Sequence, residues 1–452
     1  MRYYILRIKI NGIKNLDKEI TLDFYNKTIK KKFELNDSNI KAIYGANGSG
    51  KSGIMNAFDI YKRLITESNY LSDNHTKKYL NEIINKKLKK FSVQVVFAIY
   101  DETKDNHIRN IMSHQIILSK KSGQDFYIEW ESLEELSGQT LDTAKKKVLV
   151  CCKDGIIVSS DFKEIENIKP LTINLLKSQS IITILLDDYV ENTDKDNIHN
   201  FNTSTKLLYL SILISGFLGS KLKVCLSYED EHLESMVKKD VNMDMHLYSN
   251  IIKGLEDINK KYWNIIYVDD LVPKKHLDIY LNQISKMETF IKIFKPDLIE
   301  IEVEHREVED FIVCSKYFVY KDFKIYSEYE STGIKKLITL YSAFCRLDAG
   351  EIVFIDEFDA NLHDVYLCKL LEYFSLYSKG QLCFTTHNLA PMTILGKRKH
   401  GLDFLSDDSR ITSWKRQGNY SAMNLYKSGM IENSPFNIEA FDFLGLFEGD
   451  ID

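Results

Sequence analysis

Gly45-Ala46-Asn47-Gly48-Ser49-Gly50-Lys51-Ser52 is the stretch on which the fold turns. It satisfies G-x-x-x-x-G-K-[ST] at every fixed position. The apolar run 40–44 before it reads as a strand. After it, 52–65 sets Ile54, Ala57, Phe58, Tyr61 and Leu64 at helical spacing. Strand, glycine loop and helix in that order are the context a phosphate loop needs. Glycines let backbone N–H groups turn inward around phosphates, and the helix N-terminus adds a favourable dipole. Lys51 is placed for the β- and γ-phosphates, and the Ser52 hydroxyl for Mg²⁺.

A second cluster lies about 300 residues on, where Glu351-Ile352-Val353-Phe354-Ile355-Asp356-Glu357 reads as a buried parallel strand with two carboxylates at its carboxyl end. Ligands bind there in open α/β sheets. Asp356 suits a Mg²⁺ contact, and Glu357 suits the base that polarises an attacking water. Alone, such a pair is an acidic turn; beside a phosphate loop it gains meaning. The next strand, 381–386, ends in His387, where an imidazole would sense the γ-phosphate. Upstream, Ser331 in Glu330-Ser331-Thr332-Gly333-Ile334-Lys335-Lys336 is a natural helix N-cap, and Gly333 allows close approach of an anion.

The rest of the chain bounds the reading. Its 452 residues suffice for two or three lobes, and 44% hydrophobic with 28% charged is globular composition. A net charge of −5 gives no general reason to bind nucleic acid. The basic clusters 30–32, 86–90, 145–147 and 397–400 are short and read as solvated faces. Seven scattered cysteines without a C-x-x-C pair argue against disulfides and zinc ribbons, and fit a cytoplasmic protein. The N-terminus has no cleavage-site pattern of a signal peptide. The most apolar stretch, 207–218, is too short for a membrane span and reads as a buried helix.

Short alternating runs between 91 and 159 predict antiparallel strands, with Asp154-Gly155 as a tight turn. Helical periods dominate 161–295, strands return from about 298, and α/β alternation follows. The expected fold is therefore α/β, a P-loop head with an antiparallel β subdomain and a helical insert. Its divisions are 1–160 with the phosphate loop, 161–297 as the insert, and 298–452 with the acidic strand and His387.

GANGSGKS, ESTGIKK, IVFIDEFDANLH and FTTHN together resemble the ABC ATPase family, in particular the bacterial AAA family ATPase branch related to SMC, RecF and the OLD (overcoming lysogenization defect) proteins. The resemblance covers roughly the first 65 and the last 130 residues. Asn47 in the loop is similar to that branch, as is Asp359, which falls where the family's D-loop begins. The resemblance implies ATP and Mg²⁺ as cofactors, ATP hydrolysis that is slow where ATP acts mainly as a clamp, and a head-to-tail homodimer. Two ATP molecules would be sandwiched, with Gly45, Asn47, Gly48, Ser49, Gly50, Lys51, Ser52, Asp356, Glu357 and His387 of one subunit facing Ser331 and Gly333 of the other. Lys14 lies where relatives carry a basic residue near the phosphates.

ESTGIKK departs from the LSGGQ of transport proteins, which argues against an importer or exporter subunit. Gln94, mid-strand, is the one candidate for a Q-loop. The insert lacks the heptads of an SMC arm. The 65 residues after His387 are too few for the Toprim nuclease of OLD proteins, and no His-Asn-His or Arg-x₄-His nuclease motif is present.

The first expectation for function is a sensor or scaffold ATPase of an anti-phage defence complex, as in systems such as Septu and PARIS, with a nuclease or toxin as a separate effector and higher oligomers open to it. The apolar tail of Phe436, Ile438, Phe441, Phe443, Leu444, Leu446 and Phe447 reads as core packing before partner groove. The alternative is a repair or recombination ATPase of the RecF or SMC type that clamps DNA, which would make nucleic acid a partner. A stand-alone NTPase acting on a small molecule has no visible substrate site.

Overall fold

A computed structural model describes residues 2–26, 28, 38–101, 107–161, 169–170, 172–192, 214, 219, 221–226, 265–360, 362–415 and 420–431. The expected helix at 207–218, much of the stretch of helical periods before 265, the cluster 30–32 and the apolar tail lie largely or wholly outside these residues.

Period-2 patterning at the start of the chain becomes β1 (Arg2–Asn11) and β2 (Ile20–Asp23), an antiparallel pair. β3 (Ile40–Gly45) is buried at every residue and feeds the phosphate loop into α1 (Lys51–Thr66). α2 (Asn74–Ile83) follows, its N-terminus capped by the Asp73 carboxylate, which accepts the Thr76 N–H at 2.7 Å. β4 (Lys90–Asp101), β5 (His107–Lys120), β6 (Phe126–Ser137), β7 (Lys145–Lys153) and β8 (Ile156–Ser160) then run antiparallel. They complete a seven-stranded sheet in the order β2-β1-β4-β5-β6-β7-β8. Asp154 and Gly155 both have positive φ, 50° and 85°, as a type I′ turn requires between β7 and β8.

α3 (Ile181–Asn192) is followed by β9 (Leu222–Cys225) and β10 (Asp270–Pro273). α4 (Leu277–Phe294), β11 (Glu300–Val308), β12 (Phe311–Val319) and β13 (Lys324–Tyr326) lead to α5 (Thr332–Asp348). The chain finishes with β14 (Ile352–Ile355), α6 (Asp364–Tyr377), β15 (Gln381–Thr385), α7 (Met392–Leu395), β16 (Leu402–Leu405), β17 (Ile411–Ser413) and α8 (Ala422–Lys427).

The sheet that matters for the site has the order β17-β16-β3-β15-β14-β9, parallel except for β17. Its residues divide by alternation. Ile43, Cys383, Ile352, Phe354, Leu222 and Val224 join the core shared with α1 and the seven-stranded sheet. Ala42, Tyr44, Phe384, Val353, Ile355 and Cys225 join the core shared with α4, α5 and α6. Burial on both faces is why β14 reads as an unbroken apolar run. The Phe58 ring of α1 stacks on Phe354 at 3.7 Å between centroids, seating the loop's helix on β14.

The stretch 161–297 is not wholly helical. β9 sits at the edge of the parallel sheet, Leu222 opposite Ile352 and Cys225 opposite Ile355, and β10 pairs with β12. Four residues are too few to display a period of two, so β9 is lost in its helical surroundings. The residues after His387 likewise enter the main sheet, β16 pairing with β3 from Leu402 opposite Ala42 to Leu405 opposite Gly45.

Candidate functional site

The sheet brings the two distant motifs together because β3, β15 and β14 are consecutive neighbours and all point the same way. Their carboxyl ends deliver the phosphate loop, His387, and Asp356-Glu357 to one edge.

In the loop, Gly48 and Gly50 adopt φ of 79° and 108°, a backbone that side chains disfavour. Gly45 is required for a different reason. A Cβ there would lie 2.5 Å from Ser49 Oγ and 2.7 Å from the Leu405 carbonyl oxygen. α1 starts at Gly50 without a side-chain cap, so the N–H groups of its first turn face the loop. Lys51 folds back into the ring it closes, its Nζ donating to the carbonyls of Gly45 at 2.8 Å and Ala46 at 2.9 Å. Ser49 Oγ is buried with no hydrogen-bond partner among the described residues. Asn47 is exposed at the loop's crest, and Ser52 is half-buried in the first turn of α1. From the other side, Asn15 Nδ2 donates to the Gly48 carbonyl and braces the loop against the β1–β2 hairpin.

Asp356 is fully buried, its N–H donating to the Cys225 carbonyl at 2.8 Å. Glu357 is exposed, with φ of 48°, the left-handed region seldom occupied by a non-glycine residue. Thr385 touches both, its hydroxyl donating to Asp356 Oδ1 at 2.6 Å and accepting the Glu357 N–H at 2.8 Å. Asp359 follows in the same turn, its carbonyl accepting the Leu362 N–H at 3.1 Å.

Charges in this group feel one another. Loss of water is the main influence lowering Lys51 from its ordinary range, while Asp356, Glu357, Asp359 and Asp407 pull it back up. His387 is lowered first by loss of water and next by Lys51, against Asp359, Glu357 and Asp356. Lys14, which also has a positive φ of 48°, is lowered by partial burial and raised by Asp356. The structure therefore gathers Lys51, Asp356, Glu357, Asp359 and His387 into one electrostatic group, with Lys14 at its border.

Ser331 and Gly333 lie at the start of α5. Ser331 caps α5, its Oγ accepting the Ile334 N–H at 3.4 Å, and its own N–H donates to the Glu330 carboxylate at 2.9 Å. Among the described residues, no hydrogen bond or ion pair joins Ser331 or Gly333 to the loop. Gln94 is engaged within the antiparallel sheet, its Nε2 donating to Ser113 Oγ at 2.8 Å. Asn15, Thr385 and Asp407 are the residues of the site that sequence reasoning missed. Asp407 arrives through the β16–β3 register, which no local pattern announces.

A glycine loop running into α1, an acidic turn and a histidine on adjacent parallel strands, and an antiparallel sheet over the same helix define the class: a mixed α/β fold built around a P-loop. Residues 268–391 match the family model described as "AAA domain, putative AbiEii toxin, Type IV TA system". No curated protein matches the chain. Among solved structures, the chain is similar to an SMC head domain with an extended coiled coil, bound to the C-terminal domain of ScpA, from Pyrococcus furiosus. The identity is 14% over 91% of this chain and 96% of that one, with a TM-score of 0.40. It is also similar to an SMC head bound to the C-winged helix domain of ScpA (14% identity, 93% and 99% covered, TM-score 0.44). A third likeness is to the recombination mediator RecF with ATPrS (12% identity, 92% and 99% covered, TM-score 0.35). Among the described residues, no helix is long and apolar enough to cross a membrane.

Proposed function

We propose that the chain binds ATP with Mg²⁺ and hydrolyses it, and that two copies close head-to-tail around two nucleotides. The observation that carries this reading is the parallel order β3-β15-β14, which delivers the phosphate loop, His387 and Asp356-Glu357, about 300 residues apart in sequence, to one edge of the sheet. Uncapped N–H groups at α1, a loop with no room for a side chain at Gly45 or Gly50, and the buried polar Ser49 all suit a phosphate chain.

Bound ATP–Mg²⁺ would supply the phosphoryl group and the metal's charge neutralisation. Lys51 would exchange its two carbonyl acceptors for phosphate oxygens. Ser52 and Asp356 would hold the metal, which takes its other ligands from phosphate and water. Glu357 would accept the proton of the attacking water. His387, kept neutral by its surroundings, would hydrogen-bond at the γ-phosphate. Ser331 and Gly333, exposed and half-exposed at the start of α5, would complete the site of the partner subunit.

We place this ATPase as a sensor or scaffold subunit of an anti-phage defence complex with a separate effector, a nuclease or toxin. The description of the matched family model, which names a toxin of type IV toxin–antitoxin systems, supports that setting. A net charge of −5 weighs against a DNA clamp.

The test combines phosphate release with light scattering on a sizing column. Glu357→Gln should bind ATP, accumulate as dimer and stop turning over. Ser331→Arg should bind ATP as monomer. Turnover by Glu357→Gln near the wild-type rate would refute the assignment of the base, and an ATP-dependent dimer of Ser331→Arg would refute the interface.

A further inference from the structure

Thr385 ends β15 with its side chain fully buried, and three successive groups of the acidic turn are fastened to it. Its Oγ1 donates to Asp356 Oδ1 at 2.6 Å and accepts the Glu357 N–H at 2.8 Å, while its carbonyl accepts the Phe358 N–H at 3.0 Å. A β-branched side chain in a strand has few rotamers, so the hydroxyl is aimed before any ligand arrives. Glu357 needs that help. Its left-handed backbone persists only where surroundings over-determine it, and these bonds, with Ala360 N–H donating to the Glu357 carbonyl at 3.0 Å, do so. The same strand continues through Thr386, whose N–H donates to Ile43 of β3 at 3.3 Å, into His387.

We infer that Thr385 is a positioning residue for hydrolysis, fixing the Asp356 rotamer and the Glu357 backbone and tying both to the strand that carries His387. This rests on the reading of Glu357 as the base. Thr385 acts through its neighbours and does not meet the substrate itself. The hydroxyl donates its one proton to Asp356, which orients that carboxylate; its oxygen receives the Glu357 amide, which orients the next. Removing it leaves a buried N–H without acceptor and a buried carboxylate short of a donor.

Thr385→Val keeps the shape and deletes the hydroxyl; Thr385→Ser keeps the hydroxyl and trims a methyl. Steady-state ATP hydrolysis, thermal melting and fluorescent-nucleotide binding are compared with wild type and Glu357→Gln. Loss of a hydrogen bond to a charged group predicts a kcat for Thr385→Val lower by roughly ten- to a hundredfold, with KM within about threefold, and Thr385→Ser within about threefold of wild type throughout. A Thr385→Val enzyme with wild-type kcat would overturn the inference. So would a Thr385→Ser enzyme as impaired as Thr385→Val, and this arm decides the matter if Thr385→Val does not fold. Turnover that survives Glu357→Gln would overturn the reading of the base and this inference with it, whereas Glu357-dependent turnover retained in Thr385→Val sinks the inference alone.

Discussion

Replacing Lys41 by methionine should unfold this protein far more readily than its position beneath the site suggests. Lys41 Nζ lies 2.5 Å from Asp403 Oδ2, with 1% and 0% of the two side chains exposed. The pair staples β3, which carries the phosphate loop, to β16. Asp403 Oδ1 has no hydrogen-bond partner among the described residues, so the carboxylate depends heavily on the lysine. Removing one member of a buried pair costs about 3–5 kcal/mol, since the survivor stays in a medium that solvates it poorly. Against a typical stability of about 5–15 kcal/mol that is a large fraction. At about 2.1 cal/mol/K of unfolding entropy per residue over 452 residues, the expected drop in melting temperature is on the order of 3–5 °C. Asp403→Val should be milder, because the stranded ammonium still lies 5.6 Å from the centre of the Phe24 ring, worth up to about 1 kcal/mol. The double variant Lys41→Met, Asp403→Val replaces the pair by apolar groups and should recover most of the loss. Urea unfolding followed by circular dichroism measures all three. If the double variant loses the sum of the two singles, the pair is not coupled and the reasoning fails.

Two further outcomes follow from the geometry of the loop. Gly45→Ala should weaken ATP binding at least tenfold, because its Cβ must push against the Leu405 carbonyl at 2.7 Å, a backbone atom that cannot swing aside; calorimetry showing wild-type affinity would refute this. His387 should titrate below its ordinary 6.5, being lowered by loss of water and by Lys51, so it stays neutral at pH 7 and gains its proton only as pH falls further. Lys51→Ala should move that midpoint upward, and an unmoved midpoint in a ¹³C-histidine NMR titration would show that the two groups do not meet.

The legible parts of the site were those whose chemistry is written into contiguous residues. The phosphate loop, the strand before Asp356-Glu357 and the cap at Ser331 each carry their signal within about ten positions. α4, at 277–294, falls within the stretch 161–295 where helical periods were expected, because eighteen residues give the period room to show. β9 could not be seen for the opposite reason, and β16 because nothing in Leu-Asp-Phe-Leu says which strand it will lie beside. The same holds for Lys41 and Asp403, each an ordinary charged residue until the β3–β16 register sets them face to face. Thr385 was hidden by its commonness, a threonine at a strand end being unremarked until its two hydrogen bonds are known. Gln94, the Q-loop candidate, donates its amide to the hydroxyl of the neighbouring strand, a partner that the sequence does not announce.

The flanking of β3 by β15 and β16 has a consequence for synthesis of the chain. On the ribosome, β3 emerges more than three hundred residues ahead of either partner, so its six residues, all buried in the folded protein, wait unpaired. At about 5–20 residues per second the interval is roughly 20–70 seconds. During it the nascent chain carries a sticky ribbon that invites chaperones, and the phosphate loop cannot meet the acidic turn before translation is nearly done.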